Sequence, residues 1–451
     1  MKIVVAGAGK IGSTIAEALI KEGHEVTLID NNREIVSHIS DEMDVICIEG
    51  SAADPDILST AGVPTSDLVV AATEKDEVNM ICAVASRKLG ARNVIARIRD
   101  PEYINSRDFI RDAFGINLIV NPELECAREI SRVLRFPGTA RIDAFSKGNV
   151  EIALLKVENG DRLAGLKLCE LPKAFGSKVL VSAVERGKDV FIPNGGFELK
   201  TGDRLSVTGA AKELRKFFTA TGYYKKPVKN VMIMGGSKIA VYLSGILQES
   251  GIKVTIIERD RARCDVLGES LPEAEIIYGD ATRSEVLFEE GINSADAFVA
   301  LSGDDGNNII TSMFVSSCPV EKIVTKVSHR QYPKVIESSG LDCIIAPQDT
   351  VAQELARYVR AMGNSRNGSM ETLYKLADGK AEAIEFVVGD SAKCIGVPLR
   401  ELKLKPNIIV AAIIRGRNTL VPNGDAVLKS GDHAIISALA GEIENIDDIL
   451  A

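Results

Sequence analysis

Three glycines near the start of the chain, Gly7, Gly9 and Gly12 in Val-Ala-Gly-Ala-Gly-Lys-Ile-Gly, have the spacing that brings a backbone close to a diphosphate. The first permits a tight turn, the second leaves room for phosphate oxygens, and the third lets a helix pack closely on a strand. Ala8, Lys10 and Ile11 complete the turn. A helix starting near Lys10 would present unpaired N–H groups and its positive dipole end to the phosphates. Asp30 closes the strand-like run that follows Gly12, with Asn31 and Arg33 just beyond it. A carboxylate there can bind both ribose hydroxyls and repel a 2′-phosphate, which selects NAD over NADP. Arg33 pulls against that selection.

The same chemistry recurs in altered form. Gly235, Gly236, Ser237, Lys238, Ile239 and Ala240 put a serine at the phosphate-approach position and an alanine at the close-packing position. Glu258 follows Ala240 at the same interval as Asp30 follows Gly12, with Arg259 beside it. Both replacements are small. Two readings stay open: a second working site, weaker or for a different nucleotide, and a degenerate copy kept as scaffold.

Open α/β sheets bind ligands at the carboxyl ends of their strands. Those ends offer Gly50, Ser51, Ala52, Thr73, Glu74 and Arg97 in the first copy, and Gly279, Asp280, Ser302 and Lys326 in the second. Arg97 and Lys326 are equivalent, being separated by the same interval as Gly50 and Gly279. Each could neutralise a ligand phosphate or form a salt bridge, for Arg97 with Asp100 or Glu74.

The elements that must position these residues come from an internal repeat. Gly50 recurs as Gly279, and Gly195 of the first Pro-Asn-Gly recurs as Gly424, at one and the same offset. A constant offset over that distance means duplication of a two-part unit. In each front part, short β-branched runs alternate with amphipathic stretches of about ten to fifteen residues, which predicts six β-α units in a parallel doubly wound sheet. A proline then opens a helix, and Leu124, Ala127, Ile130 and Leu134 give the first of these an apolar stripe. Each back part has short strands and turn signals and reads as a small α/β lobe. The expected fold class is therefore α/β, two tandem repeats, each a Rossmann fold followed by a small lobe. The expected boundaries are 1–138 and 139–222 for the first repeat, and 228–362 and 370–451 for the second.

Bulk composition narrows the function. A net charge of −9, no tryptophan and few aromatics give no electrostatic or stacking basis for binding nucleic acid or an anionic lipid surface. The apolar runs are of strand length, too short to span a bilayer. The start, Met-Lys-Ile-Val-Val-Ala-Gly, reads as unprocessed. Eight scattered cysteines, at 47, 82, 126, 169, 264, 318, 343 and 394, read as reduced core thiols of a cytosolic chain. None of the four histidines, His24, His38, His329 and His433, belongs to a zinc-like cluster, and no general acid or base is evident opposite a nicotinamide ring. The expectation is a sensor without catalytic residues or metal.

The order of Rossmann fold, crossover helix and small lobe, all repeated, resembles the peripheral NAD-binding component of Trk potassium-uptake systems, the TrkA proteins, with two tandem RCK domains. The likeness rests on Val-Val-Ala-Gly-Ala-Gly-Lys-Ile-Gly, Asp30, Gly-Ser-Ala-Ala-Asp-Pro-Asp, Ala-Arg-Ile-Arg-Asp-Pro-Glu-Tyr and paired Gly-x-x-Leu-x-x-Leu turns at Gly165, Leu168, Leu171 and Gly396, Leu399, Leu402. It implies a cytoplasmic regulatory subunit peripheral to the inner face of the cell membrane. It further implies binding of NAD+ or NADH, and of ATP or ADP. The implied partner is an integral membrane potassium-translocating subunit of the TrkH/TrkG kind, under a homo-oligomeric ring, most simply a tetramer. The alternatives are a regulator of another cation channel or antiporter, and a soluble NAD-dependent oxidoreductase.

Overall fold

The computed structural model describes the chain except residues 136–140, 146–149, 224–226, 329–340, 342, 365–369, 417, 442 and 444. Its first sheet is built from β1 (Lys2–Ala6), β2 (Glu25–Asp30), β3 (Ile46–Glu49), β4 (Leu68–Ala71), β5 (Val94–Arg97) and β6 (Leu118–Val120). Every pairing is parallel and the order is β3-β2-β1-β4-β5-β6. Chain direction across the sheet reverses between β1 and β4, the switch point at which such sheets open a ligand crevice. Strands covered on both faces read as continuous apolar runs, and Leu68–Ala71 is buried at every residue.

The helices are α1 (Lys10–Lys21), α2 (Arg33–Glu42), α3 (Pro55–Thr60), α4 (Asp76–Leu89), α5 (Pro101–Asn105), α6 (Arg107–Ala113) and α7 (Pro122–Arg135). Three are shorter than the periodicity suggests: α3 has six residues, α5 five and α6 seven. Pro55 and Pro101 open α3 and α5 behind the side-chain caps of Asp54 and Asp100. Each helix then breaks after little more than a turn. The buried face of α7 is also wider than the predicted stripe. Cys126, Ala127, Ile130, Val133 and Leu134 are all buried, and Leu124 is half-buried.

In the first back lobe, β7 (Arg141–Phe145), β8 (Val150–Lys156), β9 (Leu180–Arg186), β10 (Asp189–Phe191) and β11 (Arg204–Gly209) form an antiparallel sheet in the order β10-β9-β11-β8-β7. Helices α8 (Leu171–Phe175) and α9 (Ala211–Thr221) cover it, burying Phe175, Phe217 and Phe218.

The second Rossmann sheet repeats the first. β12 (Asn230–Met234), β13 (Lys253–Glu258), β14 (Glu275–Tyr278), β15 (Ala297–Ala300), β16 (Lys322–Lys326) and β17 (Ile344–Ile345) lie in the order β14-β13-β12-β15-β16-β17, all parallel. Its helices include α10 (Lys238–Glu249), α11 (Arg261–Ser270), α12 (Ser284–Glu289), α13 (Asp305–Val315) and a long helix, Pro347–Asn364. The last lobe comprises β18 (Met370–Leu376), β19 (Ala381–Val387), β20 (Ile408–Arg415), β21 (Asn418–Leu420) and β22 (His433–Leu439), ordered β18-β19-β22-β20-β21. Where the first lobe has α9, this one ends in a 3-10 turn, Ile446–Ile449.

The compact units do not follow repeat order. One contains Met1–Ile130 and Asn230–Tyr358, both Rossmann sheets; the other contains Ser131–Lys229 and Val359–Ala451, both back lobes. The back lobes share a core in which Val150, Ile152 and Ala183 of the first pack with Ala381, Ala383, Ala411, Ala412, Ile414 and Ile435 of the second. The glycine-bearing segments that follow the two Rossmann folds, Phe136–Asp143 and Met362–Gly368, fall largely outside the described residues.

Candidate functional site

Gly7 sits at φ +105°, a conformation that L side chains rarely adopt, and a Cβ there would lie 2.7 Å from Thr73 N. Gly12 is excluded from change by contact alone, since its Cβ would stand 1.7 Å from the Gly7 carbonyl oxygen. A Cβ on Gly9 would have nothing within 4 Å, so the space before α1 is open. Gly9 is the N-cap of α1 and offers no side-chain cap, which leaves the first-turn N–H groups to another acceptor.

The second turn solves the same problem with different residues. Gly235 takes φ +93°, and Gly236 cannot carry a Cβ because Leu267 Cδ1 would be 2.3 Å away. The first copy has Ala8 at that place. Ser237 caps α10 through Oγ, which accepts from Ala240 N at 3.4 Å, and Ala240 is fully buried. The requirement for a missing Cβ has moved from the helix side of the turn to the α11 side.

Asp30 and Glu258 occupy matching positions. Asp30 Oδ2 accepts from Ala8 N at 2.7 Å and Oδ1 from Asn32 N at 2.9 Å. Glu258 Oε2 accepts from Gly236 N at 2.6 Å and Oε1 from Asp260 N at 2.8 Å. Each carboxylate ties the glycine turn to the following loop while standing at the end of the second strand. Gly50 N and Gly279 N donate to the backbone carbonyls of Asp30 and Glu258, each at 2.9 Å. Asp280 Oδ1 accepts from Thr282 N at 3.0 Å and Oγ1 at 2.7 Å. Those bonds, more than nearby Arg283 and Arg259, hold its carboxyl below the usual range.

Two buried asparagines that sequence reasoning passed over hold the loops after the fourth strands. Asn79 Oδ1 accepts from Thr73 N and Oγ1, while Nδ2 donates to the carbonyls of Thr73 and Arg97. Asn308 makes the same four bonds with Ser302 and Lys326. The signal was present in the repeat, an asparagine at the same short interval after Thr73 and after Ser302.

Arg97 pairs with neither carboxylate named from sequence. Its Nη2 lies 3.4 Å from Glu123 Oε1, and its Nη1 donates to the Thr73 carbonyl at 3.5 Å. The side chain is 11% exposed, and burial, partly offset by Glu123, lowers its pKa. Arg99 instead takes Asp76, and its Nη2 bonds to the Glu74 carbonyl. Burial likewise lowers Lys326, with Asp305 acting against it. Across the Rossmann pair, Lys238 Nζ lies 3.3 Å from Asp100 Oδ2, and Tyr242 bonds to both the Arg99 carbonyl and Asn121.

A cavity of about 230 Å³ brings Gly235, Gly236, Ser237, Glu258, Arg259, Gly279, Asp280 and Ser302 together; Lys238, Ile239 and Lys326 are not among its walls. Among the described residues no group of three or more His, Cys, Asp and Glu is placed to hold a metal, and no helix is long and apolar enough to cross a membrane. His329 lies outside the described residues.

The TrkA-N domain model matches residues 3–122 and 231–347, and the TrkA-C domain model matches 152–222 and 383–451. The chain is 32% identical over 450 residues to the Trk system potassium uptake protein TrkA homolog of Archaeoglobus fulgidus, covering 100% of both chains. It is 30% identical to the Haemophilus influenzae Trk system potassium uptake protein TrkA, covering 97% of this chain and 95% of that one. The GsuK channel, in a structure described as bound to NAD, shares the fold with a TM-score of 0.64 at 18% identity, over 98% of this chain and 77% of that one. The curated relatives carry the names of transport proteins, not of enzymes. With both domain types matched twice and full-length relatives at this identity, the chain belongs to the TrkA family of Trk potassium-uptake proteins.

Proposed function

We propose that this protein is a nucleotide-binding regulatory subunit that gates a membrane potassium-translocating partner of the TrkH/TrkG kind from the inner face of the membrane. The observation that carries this reading is the doubled site: two turns at a β1-type strand end, each tied to an acidic residue closing the next strand, in a chain of the TrkA family. NAD(H) is the ligand class that fits a glycine turn, a helix N-terminus and a ribose carboxylate in that order. ATP and ADP share the adenosine and diphosphate and compete for the same groups.

Assembly into a homo-oligomer, most simply a tetramer, has support in exposed apolar side chains at equivalent positions of two helices. Ile81 and Val84 on α4 are 51% and 37% exposed, and Ile310 and Met313 on α13 are 68% and 44% exposed. Apolar side chains exposed at matching places in both repeats support the reading that these helices meet another copy of the chain. The test is potassium flux through the reconstituted membrane partner, with and without this protein, against each nucleotide. Gly9→Val places a β-branched side chain in the open space before α1 and should weaken nucleotide binding more than about tenfold, or about 1.4 kcal/mol. Unchanged calorimetry would remove the first site from the reading. The shared fold with a channel favours a second reading, a membrane partner of another cation-channel class, which co-purification distinguishes. Turnover of NADH with a substrate would overturn both.

A further inference from the structure

The two sites share a backbone and differ in charge at their adenosine ends. In the second repeat, Arg259 lines the cavity beside Glu258, and Arg283 and Arg259 both lie within electrostatic range of Asp280. Arg263 Nε is fixed to the Gly236 carbonyl at 2.7 Å. The residues at the equivalent places in the first repeat are Asn31 for Arg259, Asp54 for Arg283 and Ile35 for Arg263. Three arginines thus replace a neutral amide, an acid and an aliphatic side chain.

The ribose carboxylate does not cancel this difference. Both oxygens of Glu258 are already met by the backbone N–H groups of Gly236 and Asp260, as those of Asp30 are by Ala8 and Asn32. What changes is the neighbour. Arg259 is exposed, follows the carboxylate directly, and enters no ion pair or side-chain hydrogen bond among the described residues. The next arginine along is common to both repeats, Arg33 and Arg261, so it sets no difference between them. In the second repeat that side chain is occupied, lying 5.5 Å from the Tyr278 ring centre and 3.8 Å from Asp265.

The adenosine half of a dinucleotide lies toward the second-strand carboxylate, so its 2′ oxygen falls beside the residue that follows that carboxylate. A free guanidinium there offers the forked donors that suit a phosphate. We propose that the second site accepts dinucleotides bearing a 2′-phosphate as well as those without one, with Arg259 the residue that receives the phosphate, while the first site rejects them. This rests on the nucleotide-binding reading of both sites and assigns them different ligand classes.

The experiment is calorimetric titration of the full chain with NAD+ and NADP+. Gly9→Val silences the first site. In that background NADP+ should bind the second site within about threefold of NAD+, and adding Arg259→Asn should weaken NADP+ at least about tenfold while NAD+ changes less than about twofold. Conversely, Asn31→Arg should strengthen NADP+ binding at the first site at least about fivefold. A Gly9→Val protein that binds NAD+ but not NADP+ overturns the proposal, as does Arg259→Asn weakening both ligands equally. If the parent binds neither dinucleotide, the nucleotide-binding reading itself falls and this inference falls with it.

Discussion

Tyr242 of the second repeat donates its hydroxyl proton to the backbone carbonyl of Arg99 in the first, at 2.9 Å, and accepts one from Asn121 Nδ2 at 3.0 Å. Burial pushes its phenol up to about 12, so the donor is present at any ordinary pH. At the equivalent place in the first repeat stands Thr14, whose hydroxyl turns back to the Lys10 carbonyl of its own helix. This hydroxyl link between the Rossmann folds therefore has no counterpart at Thr14. Tyr242→Phe keeps the ring and leaves the Arg99 carbonyl and the Asn121 amide without this partner. A loss of about 1–2 kcal/mol in urea unfolding is expected.

The exchange of small residues in the glycine turns has an asymmetric consequence. Gly12→Ala drives a Cβ into the Gly7 carbonyl, and the turn must open to relieve it. The cost should exceed about 2 kcal/mol, with nucleotide affinity at the first site falling alongside. Ala240→Gly, the reverse change in the second repeat, should cost only about 0.5–1 kcal/mol through helix propensity. Equal melting-temperature losses for the two variants would mean that the turns are built alike.

Arg186 and Asp203 form a two-pronged pair, both contacts at 2.7 Å, and Arg415 and Asp432 repeat it at the same distances. Burial pushes each aspartate up, but the arginine and a backbone N–H, from Lys200 or Lys429, outweigh it and hold each carboxyl low. A depressed folded value means that this stabilisation is complete above about pH 4 and is lost as pH falls through the folded value. Arg186→Met leaves Asp203 buried without its counter-charge, at a cost of about 3–5 kcal/mol near neutrality. The sign of the pH dependence should then reverse. The variant should regain stability on acidification toward about pH 4, where the stranded carboxyl takes up a proton. Thermal melts of parent and variant across that range decide it.

Arg97 bonds both to Glu123, at the start of α7, and to the Thr73 carbonyl on the loop after β4. Its removal disturbs the link between loop and helix more than it disturbs the glycine turn. Arg97→Ala should therefore reduce nucleotide-dependent potassium flux by a larger factor than it reduces nucleotide affinity. Affinity and flux measured on the same preparation would expose a proportional loss, which would make Arg97 a ligand contact alone.

The turn at Gly7 was legible in the sequence because its three glycines fall together between the end of one strand and the start of one helix, although the backbone that crowds Gly7, at Ala72 and Thr73, belongs to a distant loop. The parallel, doubly wound character of each sheet followed from the β-α alternation, since strands joined through helices pair in parallel. Arg97 was legible as a strand-end cation, but its partner was not. Glu123 lies 26 residues away and meets it only because β5 and β6 are neighbours. The shortness of α3 and α5 was also hidden, because an opening proline signals where a helix begins and says nothing of how soon it ends. Arg259 was visible as a residue beside a carboxylate. Its contrast with Asn31 acquires meaning only when both loops are seen to hold their carboxylates in the same way.

The joined core of the back lobes bears on how such a chain could be cut. Ala381, Ala383, Ala411 and Ala412 are small enough for one sheet to approach the other closely, and Ile152 and Ile435 fill the same interior. Expressing either half by itself would bare that surface to water. The fragment's simplest remedy is to find another of its own kind, so a severed half should be recovered as a self-paired species, a homodimer standing in for the tandem, rather than as a free lobe.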